Sequence, residues 1–269
     1  MTLFTNIKSF DKSFLLKLWL SLILYQLSVC PVSAQKDTMD IKDYILIINT
    51  YTESFPWSNR LISTATNFVK DDPKLAVYTE HMNMIMIDND SILDQFKDSL
   101  FDRYGSHRPR MLLLLGNSSL ILKDDLRKMW GDIPMVLCAG KDYTGPEHYY
   151  LTKQPIPLSE RVPLAELSQS CNLTYLYANL YIHENVEMMF RTLPRMKRFI
   201  YVGDERFVNQ VNSQEIQEIL RTKHPDVHYT FLSSRDIKKT NQLIDSLNFV
   251  DPRTTGILFS SWFHKRQFA

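Results

Sequence analysis

Residues 44–57 read YILIINTYTESFPW, an apolar strand running into a loop that carries Tyr51, Phe55, Pro56 and Trp57. From Tyr44 to Ile48 the run is continuously apolar rather than alternating, the pattern of a strand covered on both faces in a parallel sheet. Open α/β sheets bind ligands at the carboxyl ends of their strands, so the loop Asn49–Trp57 lies where recognition is expected. Its rings offer stacking surfaces, and Asn49, Thr50, Thr52 and Glu53 offer hydrogen-bonding groups. The same aromatic residues would equally serve to cap the next helix and pack inward.

Working outward, strand and helix patterns alternate. Strand Tyr44–Ile48 precedes an amphipathic helix near Ser58–Lys70, with Leu61, Ala65, Phe68 and Val69 on its inner side. Strand Leu75–Tyr78 leads to a helix over Asp90–Tyr104, with Asp90 as N-cap and Gly105 as stop. Met111–Leu115 is the strongest strand; a short helix near Ser119–Trp130 and strand Pro134–Cys138 follow. Residues Ala139–Gln169 hold Gly140, Gly145, Pro146, Pro155, Pro157 and Pro163 and no helical period, so they read as a crossover. Alternation resumes with strand Leu173–Leu180, helix Glu184–Leu193, strand Arg198–Val202, helix Arg206–Lys223, strand Val227–Leu232, helix Ile237–Leu247 and strand Thr255–Ser260. Such alternation predicts an α/β fold of two Rossmann-like lobes with parallel sheets and right-handed crossovers. Too few residues follow Ser260 for a covering helix, so the second lobe is expected to be incomplete.

At 269 residues, 44% hydrophobic, with a formal charge of +1, the chain has the composition of a globular protein, and no bulk basicity favours nucleic acid. Residues 1–34 carry lysines, the apolar run Leu18–Val29, Pro31 and then Val32-Ser33-Ala34. This is the layout of a secretory signal cleaved after Ala34, or of an uncleaved N-terminal anchor, and it places the protein outside the cytoplasm, in the periplasm. Cys138 and Cys171 remain after the leader, either as separate packed thiols or as a disulfide.

Gly116-Asn117-Ser118 and Ala139-Gly140-Lys141 end two strands and border the same expected crevice as the Asn49–Trp57 loop. Gly203-Asp204-Glu205 and Ser260-Ser261-Trp262 hold the equivalent places in the second lobe, where Asp204 could face a ligand or cap a helix. Met82, Met84 and Met86 with His81 have the donors of a soft copper site, but apolar packing accounts for them more simply. His183 and Glu187 sit one turn apart without a third ligand, and Pro225 breaks the turn between His224 and His228. No dinucleotide fingerprint, P-loop, nucleophile elbow or zinc-protease motif occurs, so neither a cofactor nor a metal nor catalysis is expected.

The stretches YILIINTYTESFPWSNRL, HRPRMLLLLGNSS and TLPRMKRFIYVGD, in that order, resemble periplasmic domains related to ABC-transporter substrate-binding proteins. Such domains front sensor histidine kinases, and the likeness is to those of the large hybrid two-component proteins of Bacteroidetes-type bacteria. The resemblance implies a type I periplasmic-binding-protein fold: a first lobe over 35–140, a crossover over 141–170 and a second lobe over 171–269. A small molecule, whether sugar, purine or amino-acid-like, would bind between the lobes and bias a membrane-linked kinase module or a dimer partner. By position, Asn49, Tyr51, Phe55, Trp57, Asn117 and Gly140 would face the cleft from one lobe, with Asp204 and Trp262 opposite. In this family the second lobe continues further, so the chain is expected to be a truncated sensor. A free-standing transporter-binding protein and a secreted α/β enzyme are the alternatives.

Overall fold

The computed structural model describes residues 43–234 and 237–261. The segments 1–42 and 262–269, with the signal and Trp262, lie outside the described residues. The chain divides into Met1–Ile41 and Lys42–Ala269, and everything below concerns the latter.

The first sheet has five parallel strands in the order β2-β1-β3-β4-β7, formed by Asp43–Asn49 (β1), Leu75–His81 (β2), Met111–Leu115 (β3), Met135–Ala139 (β4) and Leu173–Tyr177 (β7). Its strands show why continuous apolar runs were needed. Tyr44, Leu46 and Ile48 of β1, Leu112 and Leu114 of β3, and Met135 and Leu137 of β4 pack into one core. Their neighbours Ile45, Ile47, Leu113, Leu115 and Cys138 point the other way, into a second layer. Successive side chains alternate between faces, so a strand covered on both sides must be apolar at every position.

Helix α1 (Pro56–Val69) covers the second layer with Leu61, Ile62 and Ala65. It opens on Pro56, whose fixed φ suits a first helical position. Phe68, expected on its inner side, is 88% exposed. The inward stripe runs through Leu61, Ala65 and Val69 at four-residue steps, and Phe68 stands one position off it. Helix α2 (Asp90–Tyr104) puts Leu93 and Leu100 into the main core, and its N-cap is Asn89 rather than Asp90, through an Ile92 N–H bond of 3.1 Å. A 3-10 turn (Asn117–Leu122) and helix α3 (Lys123–Trp130) complete that unit.

Residues 141–170 do not form a crossover between lobes. They make the short antiparallel pair β5 (Tyr143–Thr144) and β6 (Val162–Pro163), with helices α4 (Glu147–Thr152) and α5 (Leu164–Ser170). Tyr150, Leu151, Ile156, Leu164 and Leu167 are buried in the first core. Helices of six and seven residues, each preceded by proline at its N-cap, are too short to show a period in sequence. Strand β7, expected to begin the second lobe, pairs with β4 from Met135↔Leu173 to Ala139↔Tyr177, so the first lobe extends to Tyr177.

The second sheet is parallel in the order β10-β8-β9, from Arg198–Val202 (β8), His228–Leu232 (β9) and Thr255–Phe259 (β10). Helix α6 (Ile182–Thr192) and helix α7 (Phe207–Lys223) flank its core, and α8 (Ile237–Ser246) follows β9. Met82 and Met84 are buried in the first core, in keeping with packing. Among the described residues, no group of three or more His, Cys, Asp or Glu is placed to hold a metal, and no helix is long and apolar enough to cross a membrane. Cys138 and Cys171 are separate thiols.

Candidate functional site

In the order β2-β1-β3, the chain leaves β1 to one side and later returns to the other. A crevice opens at that reversal, beyond the carboxyl ends of β1 and β3. The second sheet repeats the arrangement, with β9 and β10 on opposite sides of β8. The two reversals border one cleft, made of two adjoining chambers of about 70 Å³ and about 360 Å³. Tyr51, Phe55, Gly140, Arg206 and Val208 line both chambers.

Tyr51 and Phe55 leave the end of β1 as a stacked pair, ring centroids 4.3 Å apart, with Trp57 edge-on to Tyr51 at 5.6 Å. Trp57 also packs on the layer of Ile47, Leu115 and Cys138, so one ring both anchors α1 and borders the larger chamber. Burial raises the Tyr51 phenol above its ordinary value, with Arg206 pulling the other way. Glu53, in the same loop, is exposed.

Arg206 crosses from the second lobe, its guanidinium 5.1 Å from the Phe55 ring centre and 6.0 Å from that of Tyr51. Asp204 holds it there. The Arg206 Nε lies 2.8 and 2.9 Å from the two Asp204 oxygens and Nη2 lies 2.8 Å from Oδ2, a fork that fixes the guanidinium plane. Asp204 also accepts from the Arg206 N–H and from Asn209 Nδ2, and Arg206 Nη2 donates to Ser261 Oγ. Asp204 is 1% exposed and does not line either chamber. Expected to face the cleft, it turns away from it, and the arginine it braces lines both chambers.

Two asparagines expected to meet ligand instead bind the protein itself. Asn49 is fully buried; its Nδ2 lies 3.2 Å from Ser58 Oγ and 2.9 Å from His81 Nδ1, and its Oδ1 accepts from Tyr51 N–H. It ties β1 to α1 and β2. Asn117 lines the smaller chamber with no hydrogen-bonding capacity to spare. Its Nδ2 donates to the carbonyls of Lys141 and Tyr143, both at 2.8 Å, and its Oδ1 accepts from the N–H groups of Gly140 and Lys141. An asparagine side chain has two donors and two acceptor sites, so all four are used.

Gly116, between β3 and Asn117, has φ +92°, and a Cβ there would lie 2.4 Å from Thr50 Oγ1. The glycine serves close approach of two strand ends. Gly140 differs: a Cβ built there meets nothing within 4 Å.

Four further residues border the chambers. Lys141 pairs with Glu215 across the lobes at 2.8 Å. Lys153, 5% exposed, donates to the carbonyls of Met84, Ile87 and Tyr150. Asn83, at φ 49°, and Asn212 each carry a buried Oδ1 without a hydrogen-bond partner among the described residues. Position at a strand end was the sequence signal for Lys141, and adjacency to Gly203-Asp204-Glu205 was the signal for Arg206. Lys153, Asn83 and Asn212 had none.

Fold and site define a two-lobed, Rossmann-like α/β protein with an interlobe cleft. No protein-family model matches the chain, and a search of curated proteins returns no match.

Proposed function

We propose that this chain is a ligand-recognition domain of the periplasmic-binding-protein type, the extracytoplasmic sensing part of a two-component histidine kinase. It binds a small molecule between its lobes and signals through their closure. The observation that carries the reading is the convergence of both sheets' reversal points on one cleft, with Arg206 of the second lobe laid over Tyr51 and Phe55 of the first. A ligand entering there touches both lobes at once, and differential contact is what shifts an equilibrium between open and closed forms. The lining offers aromatic faces, amides, hydroxyls and cations, which suits recognition better than turnover.

Gly140 provides the test. A side chain at this position enters open space at the cleft, so Gly140→Phe should fold normally and fill the site. Thermal-shift screening of the full chain against sugars, amino acids, nucleobases and organic acids should yield compounds that raise the melting temperature. Calorimetry should then show their affinity falling about a hundredfold or more in Gly140→Phe, the loss of roughly 2.7 kcal/mol of binding free energy. Unchanged affinity in that variant would place the ligand elsewhere, and steady conversion of the bound compound would make the protein an enzyme.

A further inference from the structure

The two chambers of the cleft differ in charge. Lys141, Lys153 and Arg206 border the smaller one, and no Asp or Glu among the described residues does. Glu215 and Asp204, which pair with Lys141 and Arg206, stand outside that lining. Glu215 fixes the Lys141 ammonium, Asp204 fixes the Arg206 guanidinium and backbone carbonyls hold Lys153, so the cationic heads, rather than the carboxylates behind them, border the space. Its volume of about 70 Å³, about a fifth of the larger chamber's, suits a small group.

The larger chamber has the opposite character. Arg206 at the boundary is its one charged lining residue among those described, and Tyr51, Phe55 and Trp57 give it flat apolar walls. Its volume of about 360 Å³ accommodates a ring system. Asn212, 3% exposed, lies in its wall with Oδ1 unpartnered and Nδ2 3.4 Å from the Tyr201 hydroxyl. Exchanging the amide's oxygen and nitrogen would leave the other atom orphaned. A buried amide with an unmet hydrogen bond beside an aromatic chamber is where a polar group of a ligand fits.

We propose that the cleft takes a small organic acid with a flat, hydrogen-bonding body. The acid group sits against Lys141 and Arg206, with Lys153, its three donors given to backbone carbonyls, behind the wall; the body lies along Tyr51 and Phe55 and bonds to Asn212. This assignment rests on the cleft reading above and adds the class of ligand to it.

Matched pairs test it by calorimetry on the full chain: indoleacetate against indoleacetamide, and para-hydroxybenzoate against its amide, with glucose as a neutral polyol. At least one acid should bind about tenfold or more tightly than its amide, and its affinity should fall as salt is raised. In the double variant Lys141→Gln/Glu215→Gln, which removes the cation without stranding its partner, that preference should disappear. Amides or glucose binding as tightly as the acids, or no binding by either acid, overturns the assignment. Retained binding of an acid in Gly140→Phe overturns the cleft reading itself, so the two failures are separable.

Discussion

Asn117 sits at a strand end, beside a glycine, on the wall of a pocket, and still has nothing left to give a ligand. Its four hydrogen bonds clamp the turn over residues 140–143, the turn that presents Gly140 and Lys141 to the cleft. Asn117→Ala should therefore act first on stability. Stranding these buried backbone groups should cost about 1–3 kcal/mol, read as a shift in the urea midpoint. A variant as stable as the parent but defective in binding would restore Asn117 to the ligand's contacts. Residue type pointed to positions that line the cleft, namely Tyr51, Phe55, Trp57 and Gly140. It did not tell which way a polar side chain turns. Asn49, Asn117 and Asp204 face backbone or a neighbouring side chain, because at a strand end unpaired N–H and C=O groups compete with any ligand for the same amide or carboxylate.

At the scale of elements, α7 joins the lobes. Phe207 and Val211, one turn apart, pack into the first core, with the Phe207 ring 4.6 Å from that of Tyr150. Ile216, Ile219 and Leu220 pack into the second. A helix with apolar contacts on two sides is buried between layers rather than lying on a surface. Phe207→Ala should cost about 3–5 kcal/mol in chemical denaturation, whereas Phe68→Ala, on an exposed face of α1, should change stability by less than about 0.5 kcal/mol. Equal effects would mean that α7 does not carry the junction. The helices with clear amphipathic stripes were legible almost to their ends. The partner of β7 was not, because neighbours in a parallel sheet are chosen by crossover topology and leave no mark on the strand's own residues. Residues 141–170 were misread for a related reason: proline-bounded helices of one or two turns do not last long enough to show a period.

Over the molecule as a whole, two parallel sheets turn their reversal points toward one cleft, and Arg206, Lys141 and α7 connect its walls. The fold class follows from alternating elements and continuous apolar strands, both visible in the chain. The placement of Arg206 over the Tyr51 and Phe55 rings emerges only when the second sheet is set against the first. The central claim is that ligand binds between these walls, and hydrogen–deuterium exchange of the full chain tests it most directly. With the tightest-binding compound of the screen added, backbone protection should rise together in the loop 50–55, the turn 140–143 and the segment 203–208. Protection confined to one lobe, or absent from all three segments while the compound is bound, would contradict it.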